Sequence, residues 1–422
     1  MKVFKFGGAS VNSIERIQNL ASILKEFPGE KIMVVISAMG KTTNALEKVV
    51  EAFYNRDREK ASQLLQKIKY QHAGTAKDLL SVHYISCEAK LIEFFAKAES
   101  LINEKPVRHH DYYYDQVVCI GELLSTSIIS AYLEETGIHN HWIDVREIFC
   151  TDNNFRDARI DWHTTQMMIR KKVTPLFRNT DIVLTQGFIG ATKENESTTL
   201  GREGSDYTAA VFANMLDAKQ VFIWKDVEAV MNADPKQFPD AEPIAELNYN
   251  EVIEMAYYGA QVIHPKTIKP LQNKNIPLSV KCFLQPSLAG TVIQDHIPEN
   301  LPPIIVLKEN QVMLCLETKD FSFIGEHHLI GLYKIFEKLK IKPNLTQNAA
   351  ISFTAVLDDH PGKIELLVKE TSAHFGVSIT KGLSLLTLRH YKKELFEKLT
   401  ERKNILLRQQ TPVTLQVLME DQ

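Results

Sequence analysis

Four short apolar runs in this chain each end in a polar or glycine-rich stretch, and this pairing limits the available folds more than any other feature. Val3 to Phe6, which contains Lys5, is followed by Gly7-Gly8-Ala9-Ser10. Ile32 to Ile36 is followed by Ser37-Ala38-Met39-Gly40-Lys41-Thr42-Thr43-Asn44. Gln186-Gly187-Phe188 follows Ile182 to Thr185, and Lys225-Asp226 follows Val221 to Trp224. The run Ile32 to Ile36, apolar throughout, suits a strand buried on both faces of a parallel sheet. Between the first two runs, Ile14, Ile17, Leu20, Ala21 and Leu24 fall at helical spacing. Asn12 is the expected N-cap, with Glu15 in capping-box position, and Phe27-Pro28-Gly29 ends the helix. The unit reads βαβ, and its repetition predicts an α/β sandwich. In an open parallel sheet, ligands bind beyond the carboxyl ends of the strands. If the four runs share a sheet, their polar tails meet in one cleft.

The stretch from Pro28 to Pro106 carries no proline between them and reads as several charged helices, continuing through Gln116 to Glu135. Further helices are expected at Tyr207 to Leu216 and Tyr249 to Tyr258, and a strand at Ile276 to Cys282. Near residue 296 the composition changes, and Pro298, Pro302 and Pro303 make a stiff connector. Beyond it the pattern is strand (Val312 to Leu316), helix (Leu329 to Leu339), strand (Ala350 to Leu357), helix (Glu365 to Phe375) and strand (Ser384 to Leu388). A helix (Lys392 to Glu401) and a strand (Val413 to Leu418) close the series. Small βαβ-type modules in tandem are the expected content.

With 422 residues the chain suits two or three domains. Forty-nine basic residues against fifty-two acidic ones give a net charge of −3, which argues against nucleic acid as the main partner. No apolar run reaches the ~18–20 residues of a membrane span, and the first residues lack the apolar stretch of a signal peptide. Cys87, Cys119, Cys150, Cys282 and Cys315 are odd in number and without a C-x-x-C pair, which suits reduced thiols. A cytoplasmic location is therefore expected.

Gly7-Gly8 lets backbone N–H groups approach a phosphate, with Lys5 adding a compact charge. A plain tight turn with a solvated lysine fits the same residues. Gly40-Lys41-Thr42 resembles the end of a P-loop, but that motif needs a glycine where Val35 stands, so the reading fails. Ser37, Thr43 and Asn44 are open to hydrogen bonding or to capping. In Thr198-Thr199-Leu200-Gly201-Arg202-Glu203-Gly204-Ser205-Asp206-Tyr207, Arg202 suits a carboxylate or phosphate that takes both oxygens. Ser205 and Asp206 stand where a helix cap would be, so a cap and a ligand role are both open to Asp206. Glu122 sits among Val117, Val118, Ile120, Leu123 and Leu124, and if buried it needs a partner, either a substrate ammonium or a lysine. The paired histidines at 109–110 and 327–328, with His139 and His141, show no metal-ligand spacing.

These residues resemble the signature blocks of the aspartate kinase family, within the amino-acid kinase superfamily. Lys5-Phe6-Gly7-Gly8-Ala9-Ser10 is similar to its K-F-G-G-T-S opening. Ser37-Ala38 to Thr43-Asn44, Gly121-Glu122, Thr185 to Gly190, Thr199 to Ala209 and Gly259-Ala260 to His264-Pro265 follow in family order over residues 1 to about 295. The resemblance implies a three-layer αβα fold with a mainly parallel sheet over 1–295, a linker at 296–303 and two ferredoxin-like ACT modules over 304–422. The first module would span about 310–378, inside a second made of about 303–309 and 380–422. It implies transfer of the γ-phosphoryl group of ATP to the β-carboxylate of L-aspartate, giving 4-phospho-L-aspartate, the entry step to lysine, threonine and methionine synthesis. Another amino-acid kinase of this fold, or a decayed amino-acid sensor, is the alternative.

By the same resemblance, Lys5 and Asp206 are catalytic. Lys5, Gly7, Gly8, Ser10, Lys225, Asp226, Met231, Lys236 and Gln261 bind ATP. Ser37, Thr43, Glu122, Phe188, Arg202 and Ser205 bind substrate, with Arg202 on the α-carboxylate and Glu122 on the α-ammonium. Mg²⁺ is held mainly by ATP and water. The nucleophile is a carboxylate already ionised at neutral pH, so no general base is needed. Ala9, Glu203, Met231, Lys236 and Gln261 depart from the usual threonine, glycine, tyrosine, arginine and lysine. Glu203 must point away from the anion site. A homodimer inhibited by lysine or threonine at the ACT modules is expected, with Phe321-Ser322-Phe323-Ile324-Gly325 opening the effector loop. Asn344 stands where the lysine-sensitive pattern has an aspartate. The chain is expected to be monofunctional.

Overall fold

The four apolar runs become neighbouring strands with their ends level. In the computed structural model, which describes residues 1–260, 262–298 and 300–421, the chain begins β1 (Lys2–Phe6), α1 (Ile14–Lys25), β2 (Ile32–Ile36), α2 (Thr42–Tyr54), α3 (Arg58–Leu79), α4 (Tyr84–Asn103) and α5 (His110–Glu135). It continues through β3 (Asn140–Ile143), α6 (Trp162–Met168), β4 (Ile182–Gln186), the hairpin β5 (Ile189–Ala191) and β6 (Ser197–Thr199), α7 (Gly204–Met215) and β7 (Gln220–Lys225). Two short strands, β8 (Val230–Met231) and β9 (Pro243–Ile244), precede β10 (Glu246–Asn248), α8 (Tyr249–Tyr258), α9 (Pro265–Gln272), β11 (Leu278–Cys282) and β12 (Thr291–Gln294).

Eight of these strands form a sheet in the order β10-β12-β11-β7-β1-β2-β4-β3. Every neighbouring pair is parallel except β11 with β12. Phe6 pairs with Ile36 and Trp224, and Ile36 pairs with Gln186, so β1, β2, β4 and β7 end on one line. The strand order reverses about β1, which opens a crevice at its carboxyl end. Alternation sends Phe4 and Phe6 to one face, where they meet Phe27 at 4.9 Å and Phe283 at 6.0 Å. Each buried ring of this kind contributes roughly 1.5–3 kcal/mol. Lys5 takes the other face, which α7 covers. The result is a three-layer αβα arrangement.

Several boundaries differ from the expectations. Ser13, not Asn12, caps α1: its Oγ accepts from the Arg16 N–H at 3.3 Å, while Asn12 closes the 3-10 turn Gly8–Val11. α7 starts at Gly204 rather than Tyr207, because its polar first turn is buried by tertiary contact rather than marked by apolar periodicity, and α5 runs from His110 through the expected Gln116 to Glu135. β11 starts at Leu278 rather than Ile276. By length and hydropathy α5 is the one helix among the described residues that could cross a membrane, but 78% of its apolar stretch is buried by its neighbours, which makes it a core helix.

Close contacts divide the chain into two units: Met1–Val230, Pro243–Ile253 and Val262–Pro298 form one, and Met231–Glu242, Glu254–Gln261 and Glu299–Gln422 the other. The C-terminal part of the second comprises β13 (Ile304–Thr318), α10 (Glu326–Lys338), β14 (Leu345–Asn348), β15 (Ser352–Asp358), α11 (Pro361–Thr371), β16 (Phe375–Arg389), α12 (Lys393–Thr400), β17 (Lys403–Gln410) and β18 (Thr414–Asp421). Its antiparallel sheet runs β14-β15-β13-β16-β18-β17. β13 to β16 follow a βαββαβ path, which is ferredoxin-like. β16, α12, β17 and β18 with the start of β13 build a second such sheet. Both long strands pass through both halves, and the β13–β16 register shifts between Lys308 and Gln311. α11 ends at Thr371, so Phe375 opens a strand rather than closing a helix. β17 went unpredicted because it is an edge strand with few buried residues.

Candidate active site

Lys5 projects from β1 toward the first turn of α7, where its Nζ lies 2.6 Å from Asp206 Oδ1. Both side chains are buried. Asp206 is the third residue of α7 rather than its cap, and its carboxylate lies beside the Lys5 ammonium. Burial works to raise its pKa, but the Lys5 and Lys225 ammonium groups outweigh that and hold the carboxyl below its ordinary value. Lys225, the last residue of β7, is 3.9 Å from Asp206 Oδ2 and donates to the Val262 carbonyl at 2.7 Å. Two cations thus flank one carboxylate at the carboxyl ends of adjacent strands.

A cavity of 510 Å³ opens beside this group. It is lined by Lys5, Gly8, Ser37, Thr43, Glu122 and Phe188, and by Arg202, Ser205, Asp206 and Lys225. All six predicted substrate residues therefore meet in one place. Gly8 is required by close approach: a Cβ there would stand 2.6 Å from the Ala38 carbonyl oxygen. Gly40 N–H donates to Gly8 O at 2.9 Å, which locks the loops after β1 and β2 together. Gly187 is required for the same reason, since a Cβ would fall 2.5 Å from that of Ser205.

Glu122 is 2% exposed in the middle of α5, and its Oε2 has no hydrogen-bond partner. Burial pushes its pKa up to about 8, against the lowering influence of the Ala38 N–H and the Lys5 charge. Arg202, by contrast, is exposed and makes no hydrogen bond or ion pair among the described residues. A carboxyl without a cation and a guanidinium without an anion therefore line the same cavity. Glu203 also lines it, with its carboxylate accepting from the His264 N–H at 2.9 Å.

Other expected nucleotide residues stand apart from the cavity lining. Ser10 is buried in the 3-10 turn, its N–H donating to Gly7 O at 2.9 Å. Asp226 is occupied by Arg16, at 2.8 and 2.9 Å from Nη1. Met231 and Lys236 belong to the second unit, and Gln261 lies outside the described residues.

Sequence reasoning missed Tyr114, Arg156 and Thr199, which also line the cavity. Arg156 lies over the Tyr114 ring at 4.2 Å. Both it and Thr199 are pinned by Asp115, which accepts from Arg156 N–H at 3.0 Å and from Thr199 N–H and Oγ1 at 2.8 Å each. Asp115 is fully buried, and desolvation lifts its pKa to about 7 despite those three donors. The signal was available: Asp115 stands two turns before Glu122 on the same face of an apolar helix, and the same argument applies to it. Among the described residues no cluster of three or more His, Cys, Asp or Glu is arranged to hold a metal.

A profile described as the Amino acid kinase family matches residues 1–282. Aspartokinase 1, chloroplastic, from Arabidopsis thaliana is 33% identical over 404 residues, which is 92% of this chain and 70% of that protein. Lysine-sensitive aspartokinase 3 from Escherichia coli strain K12 is 30% identical over 400 residues, covering 92% of this chain and 86% of that protein. The crystal structure of E. coli aspartokinase III in complex with aspartate and ADP, described as the R-state, superposes with a TM-score of 0.81 at 27% identity, covering 100% of this chain and 96% of that one. Its complex with lysine and aspartate, described as the T-state, gives 0.82 at 27% identity, covering 99% and 95%.

Proposed function

The chain belongs to the amino acid kinase family, among its aspartokinases, and from that premise we propose how its own residues carry the reaction. The single observation behind the proposal is the cavity that joins Lys5, Asp206 and Lys225 to the unpaired Glu122 and Arg202. Arg202 takes the α-carboxylate of L-aspartate and Glu122 its α-ammonium, which directs the β-carboxylate toward the loop ends of β1 and β2. Ser37, Thr43, Phe188 and Ser205 close the pocket around it. A β-carboxylate oxygen forms the new bond to the γ-phosphorus of ATP. The bond from that phosphorus to the β–γ bridging oxygen breaks, and ADP leaves with its electron pair. No proton moves, so the task is to hold the partners and to spread charge. Lys5 and Lys225 face the transferring group, Asp206 holds the two ammonium groups in place, and the Gly7-Gly8 amides approach the phosphates. Mg²⁺ would be held here mainly by ATP oxygens and water, since no group of three or more His, Cys, Asp or Glu among the described residues is arranged to hold a metal and the ion keeps most of its water.

The test is an assay with ATP, Mg²⁺ and L-aspartate in which hydroxylamine traps the acyl phosphate. Hydroxamate that forms with aspartate, and not with glutamate or phosphate acceptors, is the expected result. Activity with those acceptors and none with aspartate would refute the reading.

The raised pKa of Glu122 gives this proposal a pH dependence. Below about 8 the empty site holds Glu122 protonated, and a protonated carboxyl cannot pair with an ammonium. Raising the pH removes that proton, so the KM for aspartate falls by roughly 25-fold between pH 6.5 and 8.5. Glu122→Gln flattens the profile. A wild-type KM that stays constant over the range would exclude Glu122 from ammonium binding.

The catalytic part is proposed to span residues 1–295 and the ACT modules 304–422, acting as a cytoplasmic homodimer under feedback by lysine or threonine. Phe321 and Phe323 support a dimer, because they are 82% and 77% exposed in the loop before α10 and gain by burial against a second copy. At the residue that departs from the lysine-sensitive pattern, Asn344 accepts from Lys308 Nζ at 2.7 Å and donates to Gln311 and Asp358 at 2.8 and 2.9 Å. Lysine and threonine are the two proposed effectors. Rates measured with each end-product amino acid decide between them, and flat responses to all of them would remove the feedback.

A further inference from the structure

Residues 262–266 form a strap tied to the cleft on both sides of Arg202. Val262 O accepts from Lys225 Nζ at 2.7 Å. The His264 N–H donates to Glu203 Oε2 at 2.9 Å. Lys266 Nζ donates to the Leu200 carbonyl at 2.9 Å and pairs with Asp157 at 2.8 Å. Leu200 and Glu203, which flank the Gly201-Arg202 pair, are thus both fastened to one short segment.

Glu203 is the odd member of this set. It adopts φ 53 and ψ 29, the left-handed region, at the N-cap position just before α7. A side chain in that conformation costs roughly 1–2 kcal/mol, and glycine would avoid the cost. Its carboxylate is also adjacent in sequence to the one guanidinium that the cavity needs free. Untied, the two side chains would neutralise each other. Tied, the carboxylate satisfies the N–H of His264, the N-cap residue of α9, whose own Nδ1 accepts from the Lys266 N–H at 3.2 Å. The carboxylate is therefore spent on a helix start, where negative charge is favoured.

We propose that Glu203 is a positioning residue for the substrate carboxylate: by docking on the His264 N–H it fixes the backbone at Arg202 and keeps the Arg202 guanidinium unpaired. This rests on the assignment of Arg202 as the α-carboxylate site, so the test has one arm that depends on aspartate and one that does not.

The first arm is kinetic. E203G relieves the backbone strain and deletes the tie, and E203Q keeps an oxygen that accepts from His264. E203G raises the KM for aspartate about tenfold, the loss of one hydrogen bond to a charged group, with kcat and the KM for ATP little changed. E203Q stays near the wild type. A wild-type KM in E203G, or equal damage in E203Q, would overturn the proposal, because a merely structural Glu203 predicts that glycine is neutral or better.

The second arm reads Arg202 directly by its rate of modification with phenylglyoxal, followed on the Arg202 peptide in the full chain. His264 has φ −69, the value proline imposes, so H264P removes the N–H donor at a φ that proline adopts. H264A removes only the imidazole cap and serves as its control. In H264P the released carboxylate pairs with Arg202 and slows labelling about threefold relative to H264A. The double variant E203G/H264P restores the rate. Equal labelling in H264A and H264P refutes the tie whatever the substrate is. Normal labelling shifts in a protein that never phosphorylates aspartate would instead refute the substrate assignment alone.

Discussion

Lys5→Ala lowers kcat by about 10³-fold or more, the largest single loss expected anywhere in the chain. Two effects add. The ammonium nearest the transferring phosphoryl group disappears, and nothing else on β1 can replace it. Asp206, which Lys5 contacts at 2.6 Å, is left buried with only Lys225 at 3.9 Å to balance it. Stripping one partner from a buried pair costs about 3–5 kcal/mol when no other charge remains, and Lys225 reduces that penalty. Asp206 is held below its ordinary pKa in the wild type, so its pairing stabilises the fold above that ordinary value and is lost as the pH falls through the depressed one. Lys5→Ala shrinks this contribution, and the variant denatures at a higher pH on acidification. Lys5→Ala/Asp206→Asn separates the effects, restoring stability but not turnover. Hydroxamate formation and acid unfolding measure them independently. Wild-type turnover in Lys5→Ala would remove Lys5 from the chemistry.

Arg202→Ala raises the KM for aspartate by about 10²-fold, in line with the 2–5 kcal/mol lost when one partner of a charge pair is truncated at a binding site. The KM for ATP moves little. Stability is unaffected to within about 0.5 kcal/mol, because the side chain is exposed and holds nothing in the empty protein. Arg202→Lys recovers only part of the affinity, since a point charge does not replace a two-pronged grip on a carboxylate. Steady-state kinetics with each substrate varied in turn give all three numbers. An aspartate KM that does not respond would show that Arg202 binds something else. A large fall in melting temperature would show that its role is structural.

Much of the site could be read before any coordinates. Ser37, Gly187 and Lys225 follow from apolar runs with polar tails, because buried parallel strands change character where they leave the sheet, and Lys5 was visible as the one charge inside the first run. Arg202 was visible as a cation in a glycine-rich loop before a helix. Glu122 was visible as a carboxylate that an apolar helix had to account for. The same rule would have found Asp115, had it been carried two turns back along α5. Local rules misjudged helix starts. Ser205 and Asp206 resemble capping residues, and only their contacts with Gly187 and Lys5 place them inside α7.

The sequence alone determined that four apolar runs become strands with glycine, hydroxyl and lysine groups at or beside their carboxyl ends, since periodicity and glycine placement act over a few neighbouring residues. The tertiary structure alone decided that Asp206 pairs with Lys5, that the 152–159 loop brings Arg156 to the cavity, and that Glu203 turns to His264 rather than to its neighbour Arg202. Those choices join residues distant along the chain. A charged side chain takes its partner by distance and burial in the folded molecule, and neither is written in the spacing of residues around it.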